Sequence, residues 1–339
     1  MRTDLVKWLR PSAPIVAGLT MLMIVGATPA SACAPALPVT GYAENGTAPA
    51  QVNASAPALA TLGVDGVNIN AAGDSVPLPD SDSLALLRQA RRKHLRAEFL
   101  LGNYSDAIGD FDPDATTKLV SSPANRAAVI ATVVKAVRTQ GWDGVQIDLE
   151  AIKGSDRTNL LVFLTELKKA LPKHKTLSMA VTAFTDAQEY ADNGYDLAGL
   201  GRILDQVTLM AYDEHGPTWN GVGPIGGLPW QKAALRLVLA KIPADKLDLG
   251  VAGYGYTWPV TGTGDQVSDA QARQLVSADH SVARWDATQG EWTATLHNGT
   301  VMWWSDARSW PLRESLARRY HLHGMALWSL GLSDPIANR

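Results

Sequence analysis

The sequence predicts an α/β fold, a (β/α)8 TIM barrel carrying a small α+β insertion between its seventh and eighth strands. Three observations predict it. Eight apolar, β-rich runs recur along the chain, helical patterns lie between most of them, and one connection is far too long for a simple loop. Strand–helix alternation buries a parallel sheet on both faces, and eight such units argue for closure rather than an open sheet.

The strand runs are 39–44, 64–70, 96–104, 144–150, 176–183, 206–213, 247–256 and 324–330. Val129, Ile130, Val133, Val134 and Val137 repeat at helical spacing after the start signal Ser122-Pro123, which predicts a helix over 124–140. The run 159–171 does the same, and 230–241 and 311–320 are helical by composition. The long connection, 258–309, has its own pattern: a helix near 268–277, then runs at 281–286, 291–296 and 300–305 separated by glycine-containing turns. The barrel is therefore expected over 39–257 and 310–339. Nine residues follow Leu330, so a final helix is expected to be absent or vestigial. A faint echo relates Asp65-Gly66-Val67-Asn68-Ile69-Asn70 to Asp143-Gly144-Val145-Gln146-Ile147-Asp148. Equivalent barrel strands and chance both account for it.

The start of the chain bears on the compartment. Arg2, Lys7 and Arg10 precede an apolar run from Ile15 to Ala27, and Ala30-Ser31-Ala32 follows as a small-residue cleavage pattern. That is the layout of a secretory signal peptide over 1–32, with an Ala- and Pro-rich linker over 33–38. The run falls short of the about 20 residues a membrane span needs, although an N-terminal anchor is the alternative. The one cysteine, Cys33, directly follows Ala32, which makes it a candidate for lipidation. Ala30, where such signals usually carry Leu, counts against that. A secreted, periplasmic or envelope location is expected. Without 1–32 the formal charge of −3 becomes −5, which gives no reason to expect nucleic acid or anionic membrane as partner. No intrachain disulfide can form, so a packed core must hold the fold.

The segment 143–150 reads D-G-V-Q-I-D-L-E. Side chains alternate along a strand. Val145, Ile147 and Leu149 would face the covering helices, and Gln146, Asp148 and Glu150 would face the barrel interior. Consecutive inward polar groups, two of them carboxylates, are costly unless they are used. The C-terminal end of a barrel strand is where barrel enzymes place their chemistry. An exposed strand, or a carboxylate paired for stability, is the competing reading of an isolated D-x-E.

This segment resembles the signature strand of glycoside hydrolase family 18, the chitinase family, which reads D-G-x-D-x-D-x-E. Asp143, Gly144, Asp148 and Glu150 match, and Gln146 departs at the middle acidic position. Met210-Ala211-Tyr212-Asp213 resembles the family's M-x-Y-D, and Trp328 its tryptophan at the end of strand eight. The runs 212–215, 254–258 and 327–332 are similar to the bacterial branch that includes spore-cortex-lytic enzymes. The resemblance implies that Glu150 protonates the glycosidic oxygen and that the substrate's 2-acetamido carbonyl attacks the anomeric carbon. It implies that Asp148 orients the acetamido N–H, that Tyr212 bonds its oxygen, and that Asp213 and Trp328 line the subsite. Gln146 cannot ionise, so Asp148 is expected to lose a like-charged neighbour and to ionise more readily.

Further candidates for substrate contact are Tyr42, Glu44, Met210, Tyr254 and Gln146. Tyr104, Tyr256, Trp219, Trp230 and Trp258 are candidates for sugar stacking or for packing. Glu214 and His215 would line the cleft or serve structural hydrogen bonds. No metal or cofactor signature is present, so neither is expected. The expected partner is an N-acetylglucosamine-containing polysaccharide, chitin or peptidoglycan, acted on by a monomer with no obligate protein partner. A carbohydrate-binding lectin on the same fold and an enzyme of N-glycans are the competing functions.

Overall fold

The computed structural model describes residues 36–336. The expected signal segment 1–32 and Cys33 lie outside the described residues. From Leu37 onward, eight parallel strands close into a barrel. They are β1 (Val39–Ala43), β2 (Thr61–Asn68), β3 (Arg96–Gly102), β4 (Gly144–Asp148), β5 (Thr176–Thr182), β6 (Gln206–Met210), β7 (Leu247–Ala252) and β8 (Gly324–Trp328). Each pairs with its neighbours in sequence, and Val39↔Met325, Thr40↔Ala326 and Gly41↔Leu327 close the ring.

Alternation decides what each strand buries. Val145, Ile147 and Leu149 are fully buried in the shell between sheet and helices. The helix Pro123–Gln140 covers part of it with Val129, Ile130, Val133 and Val137. Ser122 caps that helix by accepting from the Asn125 N–H, and Gly141 ends it in a left-handed conformation, φ 87°. Arg157–Ala170 buries Leu160, Phe163, Leu164 and Leu167 at the same spacing. Ser81–Arg92 and Pro113–Ser121 are helices the sequence reading did not place, and both are capped by an aspartate, Asp80 and Asp112. Among the described residues no helix is long and apolar enough to cross a membrane.

The floor of the barrel is polar and satisfied. Ser178 Oγ donates to Glu98 (3.1 Å), and Asp248 lies 2.7 Å from His323 Nδ1. Burial raises both carboxyls above the usual range. Such groups at the strand N-termini serve stability, which leaves the opposite end for chemistry.

One expected strand is two. The run 247–256 breaks at Gly253: β7 stops at Ala252, and Tyr254–Trp258 turns into a separate antiparallel sheet. That sheet runs Gln266–Ser268, Tyr254–Trp258, Val301–Trp304, Glu291–Thr295, Arg284–Asp286 in spatial order. The helix Asp269–Ala278 packs Ala272 and Val276 on Met302 and Trp304 of one face. The other face carries Tyr254, Tyr256 and Trp258 and packs on Ile225 of the loop after β6. The pattern looked continuous because both strands are β-rich; only pairing partners distinguish them. After Trp328 the described residues form no helix.

Candidate active site

The C-terminal ends of the strands open onto a cleft of about 420 Å³. It brings together Asp148, Glu150, Tyr212, Asp213 and Trp328 with Tyr42, Glu44, Met210 and Gln146. Among the described residues no lysine, arginine or histidine lines it. Asp148 is the last residue of β4 and Glu150 lies two residues beyond, where the chain leaves the ladder. Alternation therefore aims both carboxyls inward, as the sequence predicts.

Electrostatics separate the acids. Burial raises Asp148 to about 7, and the charge of Asp65 adds to the shift. Burial also raises Glu150 well above the carboxylate range, followed by the charges of Asp148, Asp213, Asp110 and Asp65. A carboxyl so placed keeps its proton near neutral pH and can donate it. The expectation that Gln146 eases the ionisation of Asp148 is a comparison with an acid at that position; another acid, Asp65, stands close enough to act on Asp148 in its place. Gln146 is neutral and donates to Thr208 Oγ1 (3.3 Å), while Asp65 supplies a like charge from another strand.

Asp65 lines the cleft from β2, where a β-bulge follows. The register between β2 and β3 shifts between Val64 and Val67, and Gly66 inside it has φ 148°. Asp65 shares the inward face of Gly63, which pairs with Glu98, by plain alternation, and the bulge re-aims the residues after it, so that Asn68 pairs with Gly102 and faces the cleft. This also disposes of the sequence echo. Gly63 and Gly144 both pair with Glu98, so Gly144 is level with Gly63 and not with Gly66. Asp143, the partner of Asp65 in the echo, instead accepts from the Ala97 N–H at the far end of the barrel (3.0 Å).

The remaining candidates divide clearly. Tyr42 and Trp328 form the floor with ring centroids 5.5 Å apart. Glu44 accepts from Ser329 Oγ (3.0 Å) and faces the cleft. Tyr212 stands edge-on to Tyr254, and burial raises its phenol far above its ordinary range, so it stays a donor. Asp213 has φ 61° and accepts from Tyr254 Oη (2.6 Å) and Tyr256 Oη (2.9 Å). Tyr254 itself is fully buried behind Asp213 and does not line the cleft. Its place on the insertion sheet turns it from a substrate contact into a support. Trp219 and Trp258 are likewise spent on backbone oxygens, of Asp213 (2.9 Å) and Gly216 (3.0 Å). Trp230 packs on the core. His215 Nδ1 bonds the Asn220 oxygen (2.8 Å), and Glu214 accepts from the Gly227 N–H (2.8 Å), the structural alternatives for both. Tyr104 does line the cleft, with Phe111, Asn68 and Thr208, which the sequence reading did not single out as cleft residues. Among the described residues no group of three or more His, Cys, Asp or Glu side chains is placed to hold a metal.

Comparison with known proteins accords with this geometry. The chitinase from Chromobacterium violaceum superposes with a TM-score of 0.79 at 28% identity, covering 88% of this chain and 96% of that one. The spore cortex-lytic enzyme SleL of Bacillus cereus superposes at 0.80, with 21% identity, covering 88% and 72%, a likeness of fold. An uncharacterized glycosylase of Bacillus subtilis, YvbX, is 26% identical over 254 residues, 72% of this chain and 74% of its own. The cortical fragment-lytic enzyme of the same organism is 27% identical over 247 residues, 68% of this chain and 55% of its own, so the chain spans about half of that relative. Residues 80–332 match the profile of glycosyl hydrolases family 18. The chain therefore belongs to glycosyl hydrolases family 18 and is a glycoside hydrolase.

Proposed function

We propose that the protein cleaves β-1,4 bonds next to N-acetylglucosamine, in peptidoglycan or chitin oligomers, by a substrate-assisted retaining mechanism. The observation that carries the reading is the pairing of Glu150, raised by burial, with Asp148 in a cleft floored by Trp328. Glu150 donates its proton to the glycosidic oxygen as the bond to the anomeric carbon breaks. The acetamido oxygen of the same sugar forms the new bond from the opposite face. Ionised Asp148 pairs with the acetamido N–H as the oxazolinium develops positive charge, and Tyr212 donates to the acetamido oxygen. Water then opens the ring while Glu150 takes back a proton, which restores the starting configuration.

Names of relatives support both substrates: a chitinase and a cortical fragment-lytic enzyme lie among them. The basic start, apolar run and small-residue site of 1–32 support export, with Cys33 at or near the new N-terminus.

Glu150→Gln tests the assignment. It removes the proton donor and keeps the shape, so turnover of oligomers is expected to fall by at least about a thousandfold with the melting transition retained. Near-normal hydrolysis by that variant would remove Glu150 from the mechanism. Mass analysis of products from purified peptidoglycan and from chitin oligomers identifies the substrate; binding of both without cleavage by the wild type would favour the lectin.

A further inference from the structure

We propose that Asn103, buried beneath the cleft wall, is a positioning residue that fixes where Glu150 presents its proton. The inference rests on the function proposed above. The β3–β4 ladder ends at the pair Gly102↔Asp148, so Glu150 has left regular pairing. The Asn103 side chain continues the ladder in place of a backbone. The Glu150 N–H donates to Asn103 Oδ1 (2.9 Å), and Asn103 Nδ2 donates to the Glu150 carbonyl (2.9 Å). A carboxamide carries the same donor and acceptor as a peptide unit, so it can hold both sides of one residue.

Three features make this more than a buried polar contact. Asn103 is 1% exposed and does not line the cleft, so its amide serves the backbone and not a ligand. Ala151, the next residue after Glu150, takes φ 51°, a conformation that a non-glycine residue adopts only when its surroundings hold it. Among the described residues no hydrogen bond restrains the Glu150 carboxyl itself, so its aim depends on the backbone that carries it.

Asn103 also reaches the hairpin formed by Tyr104–Ser105 and Asp110–Phe111. Its Nδ2 donates to the Asp112 carbonyl (3.1 Å), and the Asp112 N–H donates to the Asn103 carbonyl (2.8 Å), which closes the hairpin neck. Tyr104 and Phe111, with ring centroids 5.8 Å apart, line the cleft. One buried amide thus ties a substrate-facing hairpin to the backbone of the acid.

Leaving-group dependence separates misplaced acid from general damage. A dinitrophenolate departs without a proton, whereas a sugar alkoxide does not. Asn103→Ala is expected to lower kcat on an N-acetylglucosamine oligomer about a hundredfold with KM within about threefold, the loss that roughly 1 Å of misplacement brings. On the 2,4-dinitrophenyl glycoside of the same sugar the loss in kcat/KM, which reports only up to departure of the leaving group, is expected to stay within about fivefold. Asn103→Asp keeps the acceptor for the Glu150 N–H and loses both donations; a smaller loss with the same leaving-group dependence is expected. Equal losses on both substrates, no loss on either, or failure of both variants to fold would overturn the positioning role while leaving the proposed function standing. A wild type that cleaves neither substrate would overturn the proposed function, and this inference with it.

Discussion

Gln146 is the residue at which this chain departs from the signature strand, and the structure relocates the missing charge to Asp65. Burial leads the rise of Asp148 to about 7, and Asp65 adds to it. Asp65→Asn should therefore move the acidic limb of the pH–rate profile, where Asp148 takes up its proton, to lower pH. Gln146→Asp should move it to higher pH. Limbs that stay in place in both variants would show that neither side chain bears on Asp148. A stability consequence follows with a definite sign. The folded pKa of Asp148 lies above its ordinary 3.8, so the folded state holds the proton more tightly. Its contribution is present below about pH 4 and is lost as pH rises through about 7. Asp148→Asn should leave the melting midpoint nearly unchanged at pH 3.5. At pH 8 it should raise stability, on the order of 2–4 kcal/mol. A gain at pH 3.5 equal to that at pH 8 would contradict the burial of the charge. Asp148 and Glu150 were legible in the sequence because alternation alone aims them inward. Asp65 is aimed inward by the same alternation, two residues after the inward Gly63, but its segment carries no second acid to single it out as a cleft residue.

Among elements, the insertion acts as a support for the loop after β6. Glu291 accepts from the Ile225 N–H (2.7 Å) and the Gly226 N–H (3.0 Å). Arg313, on the helix Trp310–Arg319, lies 3.2 Å from Glu291 and donates to the Gly226 carbonyl (2.7 Å). Both side chains are 1% exposed, so removing one partner strands the other charge. Arg313→Met is expected to destabilise the fold by about 3–5 kcal/mol in denaturant titration. Arg313→Met with Glu291→Leu should cost less than Arg313→Met alone if charge stranding is the cause, and more if lost loop bonds are. The helices of this region were legible from local composition and pattern. The pair was not, since it joins three segments that only the folded chain brings together. The break at Gly253 escaped for the same reason: residues on both sides have strand character, and the change of sheet is a matter of partners.

At the scale of the molecule, the barrel and its insertion were legible because eight strand runs and one long connection admit few other closures. The compartment is a separate matter, carried by residues 1–32 alone. The export proposed above predicts that intact-mass analysis of the mature protein finds a start at Cys33 or beyond, with a lipid mass only if Cys33 is acylated. A start at Met1 would leave the segment as an anchor. The proposed catalytic scheme rests on Glu150, Asp148 and Tyr212 lining one cleft, where it assigns them as acid, orienting carboxylate and donor to one acetamido group. Replacing the acetamido hydrogens of an aryl N-acetylglucosaminide with fluorine tests this most directly, because each fluorine weakens the carbonyl oxygen as a nucleophile. With substrate assistance, kcat/KM should fall steeply and steadily from zero to three fluorines. A rate indifferent to fluorination would mean that a side chain of the protein attacks the sugar, and that Asp148 has been given the wrong role.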